Sequence, residues 1–445
     1  MAGDTGIGII GAAESGIGAA LLAKKKGFKV FVSDFGQIKK EYKDELKYNN
    51  IPFEEGGHTI ERLIEFGLVI KSPGVPDSAA VLRRLKKMGT KVISEIEFGC
   101  LNYSGTLVAI TGSNGKTTTS GLIYHLLKTA KFDVEIGGNY GVSFARILSE
   151  KSPAYMVLEL SSFQLDNIET FRPFVSVVLN ITPDHLDRYD YNINNYAKSK
   201  MRIIENQTAK DHFVYNEDDP IVTGFKERDG WKQVLHPISE YMFLTGITSK
   251  EGAEKFEISI KGKHNLFNAR CAVEVCRILN IGEPLIRKGL SSFINEPHRF
   301  EIVATYKGIT FINDSKATNV DSVYYALDAI DGNIVWIAGG TDKGNNYSQV
   351  INLAAKKVKS LICLGIDNTK LVKSFAEVVP CIIESTNIVS VVENAIDIAE
   401  FGDVVILSPA CASFDLFENY IDRGNQYKEC INNRIKELKI KELKN

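Results

Sequence analysis

Thr106-Leu107-Val108-Ala109-Ile110-Thr111-Gly112-Ser113-Asn114-Gly115-Lys116-Thr117-Thr118 decides how this 445-residue chain is read. Its first half is an uncharged apolar run of the kind buried in a parallel sheet. Its second half is a short glycine-bearing turn that leads into an apolar helical stretch. A loop placed between strand and helix wraps phosphates with backbone N–H groups. Lys116 then supplies a cation for the β- and γ-phosphates, and a hydroxyl of Thr117 or Thr118 can ligate Mg2+. Ile110 stands where the full phosphate-loop pattern has a small residue, so the loop is a shortened variant, Gly-x-x-Gly-Lys-Thr. The tripeptide alone recurs by chance; its place between a buried strand and an apolar helix is what points to a mononucleotide.

Downstream, Tyr155-Met156-Val157-Leu158-Glu159-Leu160 reads as a buried strand ending in an acid, followed by Ser161-Ser162-Phe163-Gln164. Glu159 is either a solvated strand-end residue or a hard oxygen ligand for Mg2+, and its place one strand after the loop favours the ligand. Leu179-Asn180-Ile181-Thr182-Pro183-Asp184-His185-Leu186-Asp187 is again strand into polar turn. There His185 is a metal ligand, or Asp184 and Asp187 cap a helix start; spacing leaves both readings open.

Upstream, Gly6-Ile10 reads as a strand, Gly11-Ala12-Ala13-Glu14-Ser15-Gly16-Ile17-Gly18 as a turn into a helix ending at Lys26, and Phe28-Ser33 as a second strand. The Gly6, Gly8, Gly11 match to a dinucleotide fingerprint is accidental, because Gly6 and Gly8 lie inside the strand. A helix N-terminus after Gly11 can bind phosphate, and Asp34 falls where a Rossmann domain places a ribose-binding acid. The other reading is that the glycines only permit tight strand–helix packing. Whether the ligand is NAD or another nucleotide stays open. A third block begins near Phe300, with strands expected at Ile309–Ile312, Ile334–Ala338, Ser360–Leu364 and Asp403–Leu407.

Strands and helices thus alternate in three α/β blocks, 1–100, 101–298 and 299–445, with largely parallel sheets. The chain is 44% hydrophobic and 24% charged, with a net charge of −2, which gives no basic excess to hold nucleic acid. Its seven scattered cysteines form no CxxC pair and read as reduced thiols. Glu14 interrupts the apolar N-terminus, and no uncharged run of about 18 apolar residues occurs, so neither a secretory signal nor a membrane span is expected. A cytoplasmic monomer is the expectation. The Lys/Glu-rich stretch Asn432–Asn445 reads as an amphipathic helix end.

Gly112-Ser113-Asn114-Gly115-Lys116-Thr117-Thr118, Leu158–Gln164 and Asn180–Asp187 together resemble the Mur ligases of peptidoglycan synthesis. Lys263-His264-Asn265-Leu266-Phe267-Asn268-Ala269 and Pro297-His298-Arg299-Phe300-Glu301 continue the match in order, so the resemblance runs along nearly the whole chain. Ile312–Asn319 and Leu407–Asp415 look like the branch that adds D-glutamate; relatives that add L-alanine or a diamino acid typically carry Asp-Tyr-Gly/Ala-His at Asp314–Ala317. The resemblance implies three domains: a Rossmann-like N-terminal domain for a UDP-sugar, a P-loop-type central ATPase domain and a Rossmann-like C-terminal domain for the amino acid. It implies an ATP-dependent ligase that joins D-glutamate to UDP-N-acetylmuramoyl-L-alanine through an acyl phosphate.

Position by position, the family implies that Gly112, Ser113, Asn114, Gly115, Lys116, Thr117 and Thr118 hold ATP phosphates, with Asn265, Asn268, Arg299 and Asp314 completing the ATP site. Thr117 and Glu159 would bind one Mg2+, and His185 a second together with a carbamylated Lys200. Lys316 would reach the transferred phosphoryl group, so Lys116, Lys316, His185 and Lys200 are the expected catalytic set. Thr318, Lys343, Ser413, Phe414 and Tyr420 match the D-glutamate positions. Ser15, Asp34, Phe35, Ser72, Gly74, Asn139 and Gln164 match those for the UDP-sugar. The chain departs from the family at Phe35-Gly36, where relatives often have a hydroxyl or Arg, at Phe414 and Tyr420, and in the glycines around Lys343. Closure of the C-terminal domain is expected to assemble the site. A nicotinamide oxidoreductase would leave the Gly-Lys-Thr loop, Glu159 and Lys316 without a task, and a non-catalytic nucleotide binder would not need Glu159, His185 and Lys200 together.

Overall fold

The computed structural model describes residues 6–139, 141–239, 247–248, 255–260 and 262–443. Tyr140, in the expected glycine loop at 137–141, and Lys444 and Asn445, in the stretch expected as an amphipathic helix end, lie outside them. The first sheet contains β1 (Gly6–Ile10), β2 (Lys29–Ser33), β3 (Phe53–Glu54), β4 (Leu68–Lys71) and β5 (Lys91–Ser94), in the order β3-β2-β1-β4-β5. All neighbours are parallel. Strand order reverses between β1 and β4, which opens a crevice at their carboxyl ends. Two glycines of the first turn serve tight packing. A Cβ on Gly16 would stand 1.8 Å from the Gly11 carbonyl oxygen, and one on Gly18 2.1 Å from Ser143 Oγ. Gly11 has φ +92 and shapes the turn itself.

The second sheet has β6 (Thr106–Thr111), β7 (Val134–Gly138), β8 (Tyr155–Glu159), β9 (Val175–Val178), β10 (His212–Asn216) and β11 (Val234–Ile238), in the order β11-β10-β9-β6-β8-β7. It too is parallel throughout. β6 and β9 lie side by side at its centre and are buried apart from half-buried Thr106, which is why they read as unbroken apolar runs. A two-stranded antiparallel ribbon follows, β12 (Ile247–Thr248) with β13 (Lys255–Phe256).

The third sheet contains β14 (Glu301–Tyr306), β15 (Ile309–Asn313), β16 (Ile334–Gly339), β17 (Val358–Leu364), β18 (Ile382–Ser385) and β19 (Val404–Ala410), in the order β14-β15-β19-β16-β17-β18. The four strands expected from sequence are among them. The departure is β14, an antiparallel edge strand joined to β15 by Lys307-Gly308. Both turn residues have positive φ, 49 and 76, the backbone of a tight two-residue hairpin.

Two compact units result. One runs to Ile258 and includes Phe267–Phe293, so it holds the first two sheets; the other comprises Ser259–Leu266 and Ile294 onward. Within the first unit, helix Glu95–Leu101 leads out of β5 and fixes the first sheet to the second through Glu97. The Glu97 carboxylate is buried and accepts from the backbone N–H groups of Glu169, Thr170 and Phe171, each at 2.9 Å, and from the Thr170 hydroxyl. Arg146 adds a second clasp, donating to Glu14 at 2.8 Å and to both oxygens of Glu45 at 2.5 and 3.0 Å. Because a buried carboxylate with four donors leaves those donors stranded when it is removed, Glu97→Gln should lower the unfolding free energy of the first unit by about 2–3 kcal/mol, read as a lower urea midpoint.

Candidate active site

The turn after β6 is held open by geometry that its sequence encodes. Gly115, at the N-cap of helix Lys116–Thr129, has φ +83, and a Cβ there would lie 2.4 Å from the Asn268 Oδ1. Two residues of the segment after β9 latch the loop through three hydrogen bonds. Asn180 Oδ1 accepts from the Asn114 N–H at 2.8 Å. The Ser113 hydroxyl donates to the Thr182 carbonyl at 2.8 Å and accepts from the Thr182 N–H at 2.9 Å. Lys116 Nζ folds back to donate to the carbonyls of Gly112 and Ser113, at 2.8 and 2.9 Å.

Lys200 arrives at the same carbonyl from helix Ile193–Met201, with its Nζ 2.8 Å from the Gly112 oxygen. Its side chain is 1% exposed. Burial, and then the nearby Lys116 cation, hold its amine well below the usual lysine range, against the opposing pull of Asp184, Glu159 and Asp166. The helix is anchored next to it: Ser199 donates to Asp166 Oδ1 at 2.6 Å, and the Tyr189 hydroxyl donates to Asp166 Oδ2 at 3.0 Å.

Glu159 ends β8 opposite Ile110 of β6 and is buried, with Asn139 Nδ2 donating to its Oε1 at 2.7 Å. Thr117 is buried at the first turn of its helix. This set of hard oxygens suits Mg2+. His185 is half-exposed at φ 50; its ring lies edge-on to Phe163 at 5.3 Å, and its Nε2 is 3.6 Å from Asp184 Oδ2. Among the described residues no three His, Cys, Asp or Glu side chains converge as a metal cluster, so a second cation would depend on Lys200 as well as His185.

At the first sheet's crevice, Asp34 pins the glycine turn. Its Oδ2 accepts from the Ala12 N–H at 2.6 Å and its Oδ1 from the Gly36 N–H at 2.8 Å. Ser72 donates to the Gly11 carbonyl at 3.0 Å, Ser15 lies in the first turn of helix Glu14–Lys25, and Phe35 is 77% exposed. Gly74 meets no steric demand, since a Cβ there has nothing within 4 Å. Gln164 is buried and forms a capping box, its Oε1 accepting from the Ser161 N–H at 3.0 Å. Asn265 and Asn268 lie three residues apart and buried on helix Lys263–Ile278.

In the second unit the loops after β15, β16 and β19 meet around Arg423. This buried guanidinium donates to Ser315 Oγ (3.0 Å) and to the carbonyls of Ser315 (2.9 Å), Gly339 (3.3 Å) and Cys411 (3.2 Å). Those loops carry Lys316 and Thr318, Lys343, and Ser413 with Phe414. Lys316 Nζ stands 5.2 Å from the Tyr420 ring centre; Ser413 is buried and Phe414 exposed. Asp314 is nearly buried, and its carboxyl accepts from the Phe300 N–H at 3.1 Å and the Ser408 hydroxyl at 3.0 Å. Burial pushes it up to about 7, although both bonds and Arg299 pull it down.

The sequence matches the MurD N-terminal domain over residues 6–81, the Mur ligase middle domain over 110–276, and the Mur ligase glutamate ligase domain over 298–411. It is 45% identical to the UDP-N-acetylmuramoylalanine–D-glutamate ligase of Christiangramia forsetii across 96% of this chain and 98% of that one. It is also 45% identical to the ligase of the same name from Bacteroides thetaiotaomicron, across 95% and 98%. The chain belongs to the Mur ligase family, in the D-glutamate ligase branch. In fold it is similar to the UDP-N-acetylmuramate-alanine ligase of Thermotoga maritima, with TM-score 0.62 and 17% identity over 96% of this chain and 99% of that one. It is likewise similar to the MurF ligase of the same organism, solved in complex with ADP, with TM-score 0.62 and 18% identity over 94% and 99%.

Membership makes this protein a ligase, and the structure adds residues that the sequence reading passed over. Asn180, Thr182, Tyr189, Ser199 and Asp166 fix the loop and the Lys200 helix, and Arg423 fixes the three C-terminal loops. Asn180 and Thr182 lie in the Leu179–Asp187 stretch, where their polar pattern was available; Arg423 sits in an ordinary amphipathic helix and gave no signal. Because the Asp314 carboxyl is raised from 3.8 to about 7, the folded state holds a proton that the unfolded chain has released. Its stabilisation is full below the lower value and is lost as pH rises through the upper one. Asp314→Asn should therefore flatten the fall in stability of the second unit across that window by up to about 1.4 kcal/mol per pH unit, read by urea unfolding at a series of pH values.

Proposed function

We propose that this ligase joins the amine of D-glutamate to the L-alanyl carboxylate of UDP-N-acetylmuramoyl-L-alanine at the expense of ATP, as a cytoplasmic monomer. Residues 1–100 would form the UDP-sugar domain, 101–298 the ATP domain and 299–445 the amino-acid domain. The names and near full-length identity of the relatives support the substrates. The observation that carries the chemistry is the pairing of Lys116 and Lys200 on the Gly112 carbonyl beside a buried strand-end carboxylate.

A carboxylate oxygen of the alanyl group attacks the γ-phosphorus, the bond to the β,γ-bridging oxygen breaks, and ADP leaves. The amine of D-glutamate then attacks the acyl carbon; phosphate departs from the tetrahedral intermediate and the amine proton passes to solvent. Neither step needs a covalent enzyme intermediate. Lys116 turns from the loop carbonyls to the phosphates, the loop N–H groups hold the phosphoryl oxygens, and Lys316 neutralises charge on the transferred group. Mg2+ held by Thr117 and Glu159, and by His185 with Lys200, would offset phosphate charge. An ammonium cannot ligate a cation, so Lys200 would serve as a carbamate, formed when its neutral amine adds CO2 and loses a proton. Thr318, Lys343 and Ser413 supply the hydroxyls and cation that two carboxylates require, with Phe414 and Tyr420 beside them. Asn265, Asn268, Arg299 and Asp314 would hold the rest of ATP, and Ser15, Asp34, Phe35, Ser72 and Gly74 the nucleotide-sugar. Asn139 and Gln164 fit that list less directly, because Asn139 orients Glu159 and Gln164 closes a capping box.

Phosphate release from ATP should require the UDP-sugar and D-glutamate together; equal release with L-alanine or a diamino acid would overturn the specificity. Lys200→Arg keeps the cation but cannot form a carbamate. It should lose about as much kcat as Lys200→Ala, on the order of a hundredfold or more, and turnover by the arginine variant at the wild-type rate would exclude the carbamate.

A further inference from the structure

Behind the helix that carries Lys200 lies a surface cavity of about 610 Å³ that none of these roles uses. One wall is the end of that helix and the turn after it, with Lys198 and Arg202; the other is the segment around Trp231, Lys232 and Gln233. The volume suits a small organic ligand. Four cations and two carboxylates line the cavity. Arg202 pairs with Glu205 at 2.7 Å and Arg228 with Asp229 at 2.8 Å, which satisfies both acids. Lys198 and Lys232 have no ion pair among the described residues, so the wall carries surplus positive charge. Trp231 is set edge-on to Phe213 and Tyr215, at 4.8 and 5.0 Å, and offers a fixed aromatic surface. Gln233 adds a second polar demand. Its Nε2 donates to the Ile204 carbonyl at 3.1 Å, while its buried Oε1 accepts from no donor among the described residues and calls for one.

Arg202 also links this cavity to the site in front. Its guanidinium donates to the carbonyls of Asp166 and Ile168, the latter at 2.7 Å, and Asp166 holds Ser199, the neighbour of Lys200. We propose that the cavity is a regulatory site for a small aromatic phosphoester or carboxylate, whose anionic group meets Lys198 and Lys232, and that its occupation changes turnover through Arg202 and Asp166. The regulatory half rests on the reading of Lys200 given above; the binding half does not.

The test uses the full chain with phenyl phosphate as probe. The chain has two tryptophans, and Trp336 is fully buried in the other unit, so Trp231 reports the cavity. Saturable fluorescence quenching is expected, undisturbed by saturating ATP and UDP-sugar and abolished in Lys198→Glu/Lys232→Glu, a variant whose basal turnover stays at the wild-type level. Saturating probe should change kcat by about fivefold in the wild type and not in the double variant. Absence of quenching at millimolar probe, quenching that survives charge reversal, or displacement by a substrate would each overturn the site. Quenching without a change in kcat would overturn the regulatory role. An enzyme that fails to turn over even without probe would overturn the proposed reaction instead, with the binding result standing apart.

Discussion

One backbone oxygen, the carbonyl of Gly112, organises the nucleotide half of this molecule. Two lysine side chains donate to it at 2.8 Å, one from the helix that follows the loop and the other from helix Ile193–Met201. A second buried cation beside Lys116 would be repelled and lack solvent, which holds the Lys200 amine well below the usual lysine range in spite of the acids nearby. The loop must hold its shape against that stress, and the Asn180, Thr182 and Ser113 bonds supply the stiffness. The parallel strands β6, β8 and β9 then bring loop, Glu159 and latch residues to one edge of the sheet.

The second unit solves a related problem with the opposite sign of crowding. Arg423 is buried with no ion pair among the described residues, and burial lowers its guanidinium to about 10. Carbonyl groups from three loops take the place of a counter-ion, so the cation acts as a tether between backbone segments. Asp314, the neighbour in sequence of the Ser315 that Arg423 binds, is buried enough to be held partly protonated near neutrality. Charged residue types are thus used here for hydrogen-bonding geometry as much as for charge.

The strand–turn–helix units were readable because their signals are local: an apolar run, a glycine, then helical periodicity. The expected strands at Gly6, Thr106, Ile309, Ile334 and Ser360 are all present, within a residue or two at their ends. β14 escaped notice because Glu301–Tyr306 mixes polar and apolar residues as an exposed edge strand does, and only the Lys307-Gly308 turn marks its pairing. The site was legible where a motif places its residues next to one another. It was not legible where a partner lies far along the chain, as Asp166 does from Ser199 or Arg423 from Gly339. Asn139 and Gln164 show the reverse case, in which residues singled out for ligand contact also have structural partners of their own.

The bonds around Glu97 have a consequence for the order in which the chain is made. A ribosome releases the first sheet and its closing helix well before Glu169, Thr170 and Phe171 emerge, and the β5 residue Ser94 likewise waits for the Asn167 carbonyl, 2.9 Å away in the finished fold. Until then a carboxylate meant for the interior has no donors but water. The N-terminal hundred residues therefore leave the exit tunnel as an unfinished half, whose last helix settles only after the first three strands of the second sheet have been synthesised.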